Sequence, residues 1–174
     1  MIRFTSLPGF TPTYDADGNV TADGSHTYSW DANGNSTIVD GVGLTFDVGD
    51  RMVEQNRSGT PTEVIYAPTG QKFALMNGTT LKKAFIALSG NATAIYTSAG
   101  LDHYWHTDSL GSARLAASPT RTVFSTVAYA PFGETYTSSG TPDLSFTGQN
   151  PDTTSGDYDF LYREHSIQGR WASP

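Results

Sequence analysis

Cysteine is absent from this 174-residue chain, so it carries neither a disulfide framework nor a thiolate metal site. That absence does not fix the compartment, because many exported proteins also lack cysteine. Charge is scarce too. Asp, Glu, Lys and Arg make up 16% of the residues, and the net balance is −7. Phosphate binding needs clustered Lys and Arg, so this acidic balance argues against a nucleic-acid partner. It has no basic amphipathic stretch for a membrane surface. No window approaches the ~18 apolar residues of a membrane-spanning helix. Residues 1–10 hold one positive charge and no apolar run of signal-peptide length, so the chain is either an internal piece of a longer precursor, the favoured expectation, or exported by another route.

What is plentiful suits short strands and tight turns: 18 Gly, nine Tyr, nine Phe, three Trp, and clusters of Ser and Thr. The length allows one domain with a real core, or part of a larger repeat array.

A period stands out. Tyr14-Asp15-Ala16-Asp17-Gly18-Asn19, Trp30-Asp31-Ala32-Asn33-Gly34-Asn35 and Phe46-Asp47-Val48-Gly49-Asp50-Arg51 place their aromatics sixteen residues apart, with Gly49 one place early. So short a period is one strand-turn-strand unit stacked on copies of itself. Asp at the first turn position bonds backbone two residues on, and Gly accepts the positive φ of a bulged hairpin turn. The aromatic before the turn packs against cross-strand neighbours, and these rings are expected to share an interior layer. Tyr66-Ala67-Pro68-Thr69-Gly70 and Tyr129-Ala130-Pro131-Phe132-Gly133 are degenerate copies in which Pro presets the turn. Residues 80–88 read as a strand between Asn77-Gly78 and Gly90-Asn91. Residues 137–157 read as a long loop broken by a short strand at 144–146, and residues 160–167 as a short helix or turn. The expectation is an all-β chain of stacked hairpins forming a curved or spiralling antiparallel sheet, with little helix. An irregular lead-in spans 1–10, repeats span 11–100, and a second segment spans 101–174.

These repeats resemble the YD repeats of Rhs proteins, teneurins and insecticidal toxin-complex cocoon subunits. The second segment sharpens the resemblance. Tyr104-Trp105-His106-Thr107-Asp108-Ser109-Leu110-Gly111-Ser112 is similar to the Y-H-x-D-x-L-G-S of the Rhs-associated core, and Tyr129 to Glu134 to its Y-x-P-F-G-E. Phe146-Thr147-Gly148-Gln149 is similar to F-T-G-Q. Arg163 with Gly169-Arg170-Trp171-Ala172-Ser173-Pro174 is similar to R…G-R-[FW]-x-S-P. The resemblance implies a sheet that spirals into a hollow shell enclosing a C-terminal polypeptide, or a cell-surface protein. It implies an extracellular or cell-envelope location, and as partners the rest of an Rhs-like chain or further copies of this one. Many members release that C-terminal polypeptide by an aspartyl-type self-cleavage, through an acidic pair in D-P-x-G motifs. Those motifs lie downstream of the position of Pro174, so no self-cleavage by this chain, and no enzymatic activity, is expected.

Other chemistry competes weakly. On one strand Asp102, Tyr104, His106 and Asp108 share a face while His103 points away; tying a turn to the strand is favoured over a metal. The Asp-rich turns at 15–19 and 31–35 lack the bidentate Glu of a calcium loop. No G-x-S-x-G elbow is present. No cofactor is expected. Trp30, Trp105 and Trp171 are candidate glycan platforms, with core packing preferred. Sequons at Asn35, Asn56, Asn77 and Asn91 would mark exposed turns. Three functions from different classes remain: a structural shell segment, a fibre or adhesin built by edge-strand pairing, and a glycan-binding module.

Overall fold

A computed structural model describes residues 6, 10–141, 143, 145–149, 158–159, 164–166 and 170–171; for 159, 164, 166, 170 and 171 it describes the backbone alone. It is all-β. The chain forms two compact units, Met1–Thr60 with Asp152–Pro174, and Pro61–Pro151.

In the first unit β1 (Thr13–Tyr14) pairs with β2 (Val20–Ala22). Then β3 (Tyr28–Trp30), β4 (Ser36–Val39), β5 (Val42–Phe46) and β6 (Met52–Arg57) run as an antiparallel meander. In the second unit the same nearest-neighbour order joins β7 (Thr60–Tyr66), β8 (Lys72–Asn77), β9 (Thr80–Ala87), β10 (Ala92–Thr97), β11 (Gly100–Thr107), β12 (Ala113–Ala117), β13 (Val123–Tyr129) and β14 (Thr135–Gly140). The C-terminal part of the first unit adds β15 (Tyr158–Asp159), β16 (Glu164–Ser166) and β17 (Arg170–Trp171). Two expectations are corrected here. Residues 137–140 belong to β14 rather than a loop, because Ser and Thr pair with β13 as readily as they form turns. The described residues between 160 and 167 are strand, not helix.

The five-residue turn is the recurring part. In each copy the first amide donates to the fifth carbonyl, and the fourth amide donates back to the first carbonyl. The pattern holds at 15–19, 31–35, 47–51, 67–71, 108–112, 118–122 and 130–134. The fourth residue has positive φ in all of them: Gly18, Gly34, Asp50, Gly70, Gly111, Arg121 and Gly133. This is a type I turn closed by a left-handed bulge residue. It shifts the register beside Tyr14, Trp30, Phe46, Tyr66 and Tyr129. The early Gly49 is therefore not the left-handed residue of its turn. Asp50 takes that conformation instead, at φ 57°. Two opposite-end connections, Asp40-Gly41 and Ser58-Gly59, have positive φ at both residues, the primed turn that matches strand twist. The Asp40-Gly41 turn interrupts the strand pattern over 38–42 and pairs Val39 with Val42.

These conformations have a measurable cost. A Cβ on Gly34 would meet nothing within 4 Å, yet φ there is +85°. Gly34→Val is expected to destabilise by about 1 kcal/mol or more, from backbone strain alone. Arg121 already bears that strain at φ 67°. Arg121→Gly is expected to stabilise by up to about 1 kcal/mol, the relief being partly offset by glycine's larger unfolded-state entropy. Equilibrium urea denaturation of both variants checks the opposite signs.

Burial follows the strands. In the first unit Val20, Tyr28, Val39, Val42, Leu44 and Met52 are buried; in the second, Ile95, Trp105, Ala113 and Ala116 form a cluster with Phe85 packed on it. The pre-turn aromatics Tyr14, Trp30, Phe46, Tyr66 and Tyr129 are half-buried. They hold equivalent places, but they do not form the interior layer expected of them. Each stands at the strand's last position, where the margin of the sheet covers only part of a large ring.

Candidate functional site

The sequence-singled residues come together as turn chemistry. At Asp15, Asp31, Asp47 and Asp108, one carboxylate oxygen accepts two backbone amides and the other accepts a side-chain N–H. Asp15 Oδ1 takes Gly18 N (2.7 Å) and Asn19 N (2.8 Å), and Oδ2 takes Asn19 Nδ2 at 2.8 Å. Asp31 Oδ1 takes Asn33 N and Asn35 N, while its Oδ2 takes Asn35 Nδ2 at 3.1 Å. Asp47 repeats this with Gly49 N, Arg51 N and Arg51 Nε. Asp108 repeats it with Leu110 N, Ser112 N and Arg114 Nε. A calcium ion at any of these turns would have to displace the donors already in place.

The donors hold all four carboxyls below the ordinary carboxylate value. At Asp15 the Asn19 side chain leads, and at Asp47 the Arg51 side chain does. At Asp31 and Asp108 partial burial pulls upward but is outweighed, chiefly by the Asn35 and Ser112 amides. Where the first residue is not Asp, Pro occupies the second place: Pro68, Pro119 and Pro131. Either a carboxylate ties the turn from outside, or a ring presets its φ. The turn at 118–122 escaped sequence reasoning because Arg121 stands where Gly was sought; Ser118-Pro119 was its signal.

Successive turns touch. Asn35 is buried, and its Nδ2 also donates to Asp50 Oδ1 of the next turn at 3.0 Å, so its sequon does not mark an exposed turn. Trp30 Nε1 donates to Val20 O at 2.7 Å and its ring stacks on Tyr28. Trp105 is buried, which leaves little ring surface for a sugar. His106 is exposed on β11, and Leu110 is exposed at its turn tip. Asp108 lies beyond the strand, in the turn, and pairs with Arg114 rather than His106. Arg163 and Gly169 lie outside the described residues, as do the side chains of Arg170 and Trp171.

Asp143 and residues 145–149 cross the sheet as a strap. Ala113 N donates to Ser145 O (2.8 Å), Ser145 N to Tyr129 Oη (3.0 Å), and Thr147 N to Ser112 Oγ (3.0 Å). Ser112 is fully buried there. Gly111 lies under the strap: a Cβ on it would come 3.4 Å from Gly148 N. Gly148 itself has φ +79°.

At the strap's start is a charged cluster that sequence reasoning missed. Lys83 Nζ on β9 lies 2.8 and 2.7 Å from the two oxygens of Asp143. His103 on β11 bonds Asp102 Oδ2 through Nδ1 at 2.7 Å and points Nε2 at Asp143 Oδ2, 3.3 Å away. That second contact is an ion pair without hydrogen-bond alignment, and Nε2 is buried. Burial alone would favour neutral imidazole, but Asp143 and then Asp102 outweigh it, so the His103 pKa rises. Burial of Asp143 is likewise outweighed by His103 and Lys83, which hold its carboxyl down. Phe124 stands edge-on to His103, and Lys83 Nζ lies 5.6 Å over the Trp105 ring.

An open apolar hollow of about 660 Å³ lies on β7–β9, walled by Ile65, Phe73, Met76 and Leu81. Its one charged neighbour, Glu63, already accepts Gly78 N. Among the described residues no helix is long and apolar enough to cross a membrane.

No family model matches the sequence, and no curated protein matches it. Solved structures do match by fold. One is a mutant Tc holotoxin pore of Photorhabdus luminescens, at TM-score 0.67 and 18% identity. Two are crystal structures titled TcdB2-TccC3-TEV, at 0.66 and 19%, and TcdB2-TccC3-Cdc42, at 0.66 and 17%. Each match covers 92% of this chain and 9% of the other, so the chain spans under a tenth of those lengths. The shared property is the fold, a β-repeat sheet.

Proposed function

We propose that this chain is a non-catalytic structural segment of a larger Rhs-like β-repeat shell or cell-surface protein, working outside the cell or in its envelope. The observation that carries the reading is the use of the motif residues. Asp15, Asp31, Asp47 and Asp108 direct both carboxylate oxygens at the turn that holds them. Residues so committed shape a backbone; they do not present a reactive group. The fold likeness to components of Tc toxin assemblies supports the same reading. Partners are then the rest of a longer chain.

One observation favours a second reading, a fibre or adhesin subunit. All six residues of β14 are exposed, and its sequence Thr-Tyr-Thr-Ser-Ser-Gly holds no Lys or Pro to discourage edge pairing. Size-exclusion chromatography with negative-stain microscopy decides between them. The scaffold reading expects discrete particles at every concentration. Filaments growing with concentration would replace it with the fibre. A glycan array that binds the chain through Trp30 would replace both.

A further inference from the structure

The geometry of the strap points to a covalent bond: we propose that Lys83 and Asp143 condense into an intramolecular amide, with His103 as the acid group that assists. The pair is sixty residues apart in sequence, yet Nζ touches both carboxylate oxygens. Both side chains are 24% exposed, His103 only 7%. Phe85 and Trp105 put their rings 6.0 and 5.6 Å from the ammonium. Apolar surroundings favour the neutral amine and acid, while His103 and Lys83 hold the Asp143 carboxyl down, so the neutral pair is a minor species through which the step passes. Holding the two groups in contact replaces an encounter in solution, an advantage on the order of 10⁵ M or more in effective concentration.

The step balances without any co-reactant. Lys83 Nζ passes one proton to Asp143 Oδ1, giving an amine and a carboxylic acid. The nitrogen lone pair then attacks Cγ, and negative charge develops on Oδ2. That oxygen faces His103 Nε2 at 3.3 Å, where an imidazolium N–H stabilises it. Asp102 on Nδ1 holds the ring's aim and, with Asp143, favours its charged form. The Cγ–Oδ1 bond breaks, and the hydroxyl leaves as water with a second proton from Nζ. Ammonium and carboxylate have become amide and water, and nothing has been oxidised or reduced. Nε2 is buried, out of hydrogen-bond alignment with the resting carboxylate, and lies 3.3 Å from the oxygen that becomes the oxyanion. The product would fasten β9 to the strap.

Mass spectrometry of the intact, denatured full chain tests this. The expected mass is the sequence mass less one water, with a protease digest yielding one joined pair of peptides containing Lys83 and Asp143. Lys83→Arg and Asp143→Ala should each restore the full sequence mass. Asp143→Asn should still condense, losing ammonia instead. His103→Gln, followed after refolding from denaturant, should form the bond about a hundredfold more slowly or worse. Circular dichroism confirms that each variant is folded. A folded wild-type chain of full sequence mass, with no joined peptides after prolonged incubation, overturns the proposal; so does a joined pair that excludes either residue.

Discussion

Replacing Trp105 by Ala is expected to lower the stability of the folded chain by about 3–5 kcal/mol, measured by urea denaturation. Trp105 is buried, packs with Ile95, Ala113 and Ala116, and meets Phe85 at a ring separation of 5.6 Å. Two of its neighbours, Ala113 and Ala116, are too short to close over the space left behind. The loss therefore combines the transfer term with a cavity term that the structure cannot relax. Ile65, exposed on the same unit, gives the control: Ile65→Ala is expected to change stability by about 0.5 kcal/mol or less. Equal effects at the two positions would mean that the buried side of the sheet has been misplaced.

Asp108→Ala is the second large effect, a loss of about 1–2 kcal/mol at neutral pH. It leaves Leu110 N, Ser112 N and Arg114 Nε without their acceptor. The figure stays modest because water reaches much of the turn. Asp108→Asn keeps an oxygen for the two amides and should cost less. The two substitutions also separate by pH. The Asp108 carboxyl is held below its ordinary value in the fold, so the unfolded chain takes up protons first. Its contribution is present above the ordinary carboxylate range and is lost as the pH falls through the folded value. Asp15, Asp31 and Asp47 share that sign. Stability of the wild type should therefore drop as the pH is lowered below about 4. In Asp108→Asn the drop should be shallower, since one titrating group is gone.

The legible parts of this fold were the local ones. An Asp followed by Gly three places on specifies its turn within five residues, so Asp15-Gly18 and Asp31-Gly34 announce themselves. Asp47 has its Gly only two places on, and the left-handed position passes to Asp50, a residue type that tolerates that region better than most. Arg121 gives no such notice. A neighbouring ring, Pro119, and the pairing of β12 with β13 impose a conformation that its own chemistry disfavours. Residues 137–140 looked like loop because their composition is that of loops; only pairing with β13 makes them strand.

The strap and its charges lay beyond sequence reading for a different reason. Lys83, His103 and Asp143 are separated by twenty and forty residues, and nothing in their local patterns links them. What unites them is strand order: β9, β10 and β11 are neighbours, so Lys83 and His103 face the same side. Asp143 reaches both only because the strap returns across the sheet. Each of those facts depends on register, and register is set by bulges at the turns.

Backbone amide hydrogen exchange, followed residue by residue, tests the repeated turn most directly. The amides of Asp15, Asp31, Asp47, Ala67, Asp108, Ser118 and Ala130, each bonded to the carbonyl four residues on, should be slow to exchange. Turn-tip amides such as Ala32 and Val48 should be fast. Protection spread evenly through these segments, or slow amides displaced from those seven positions, would contradict the bulged hairpin as the unit from which this chain is built.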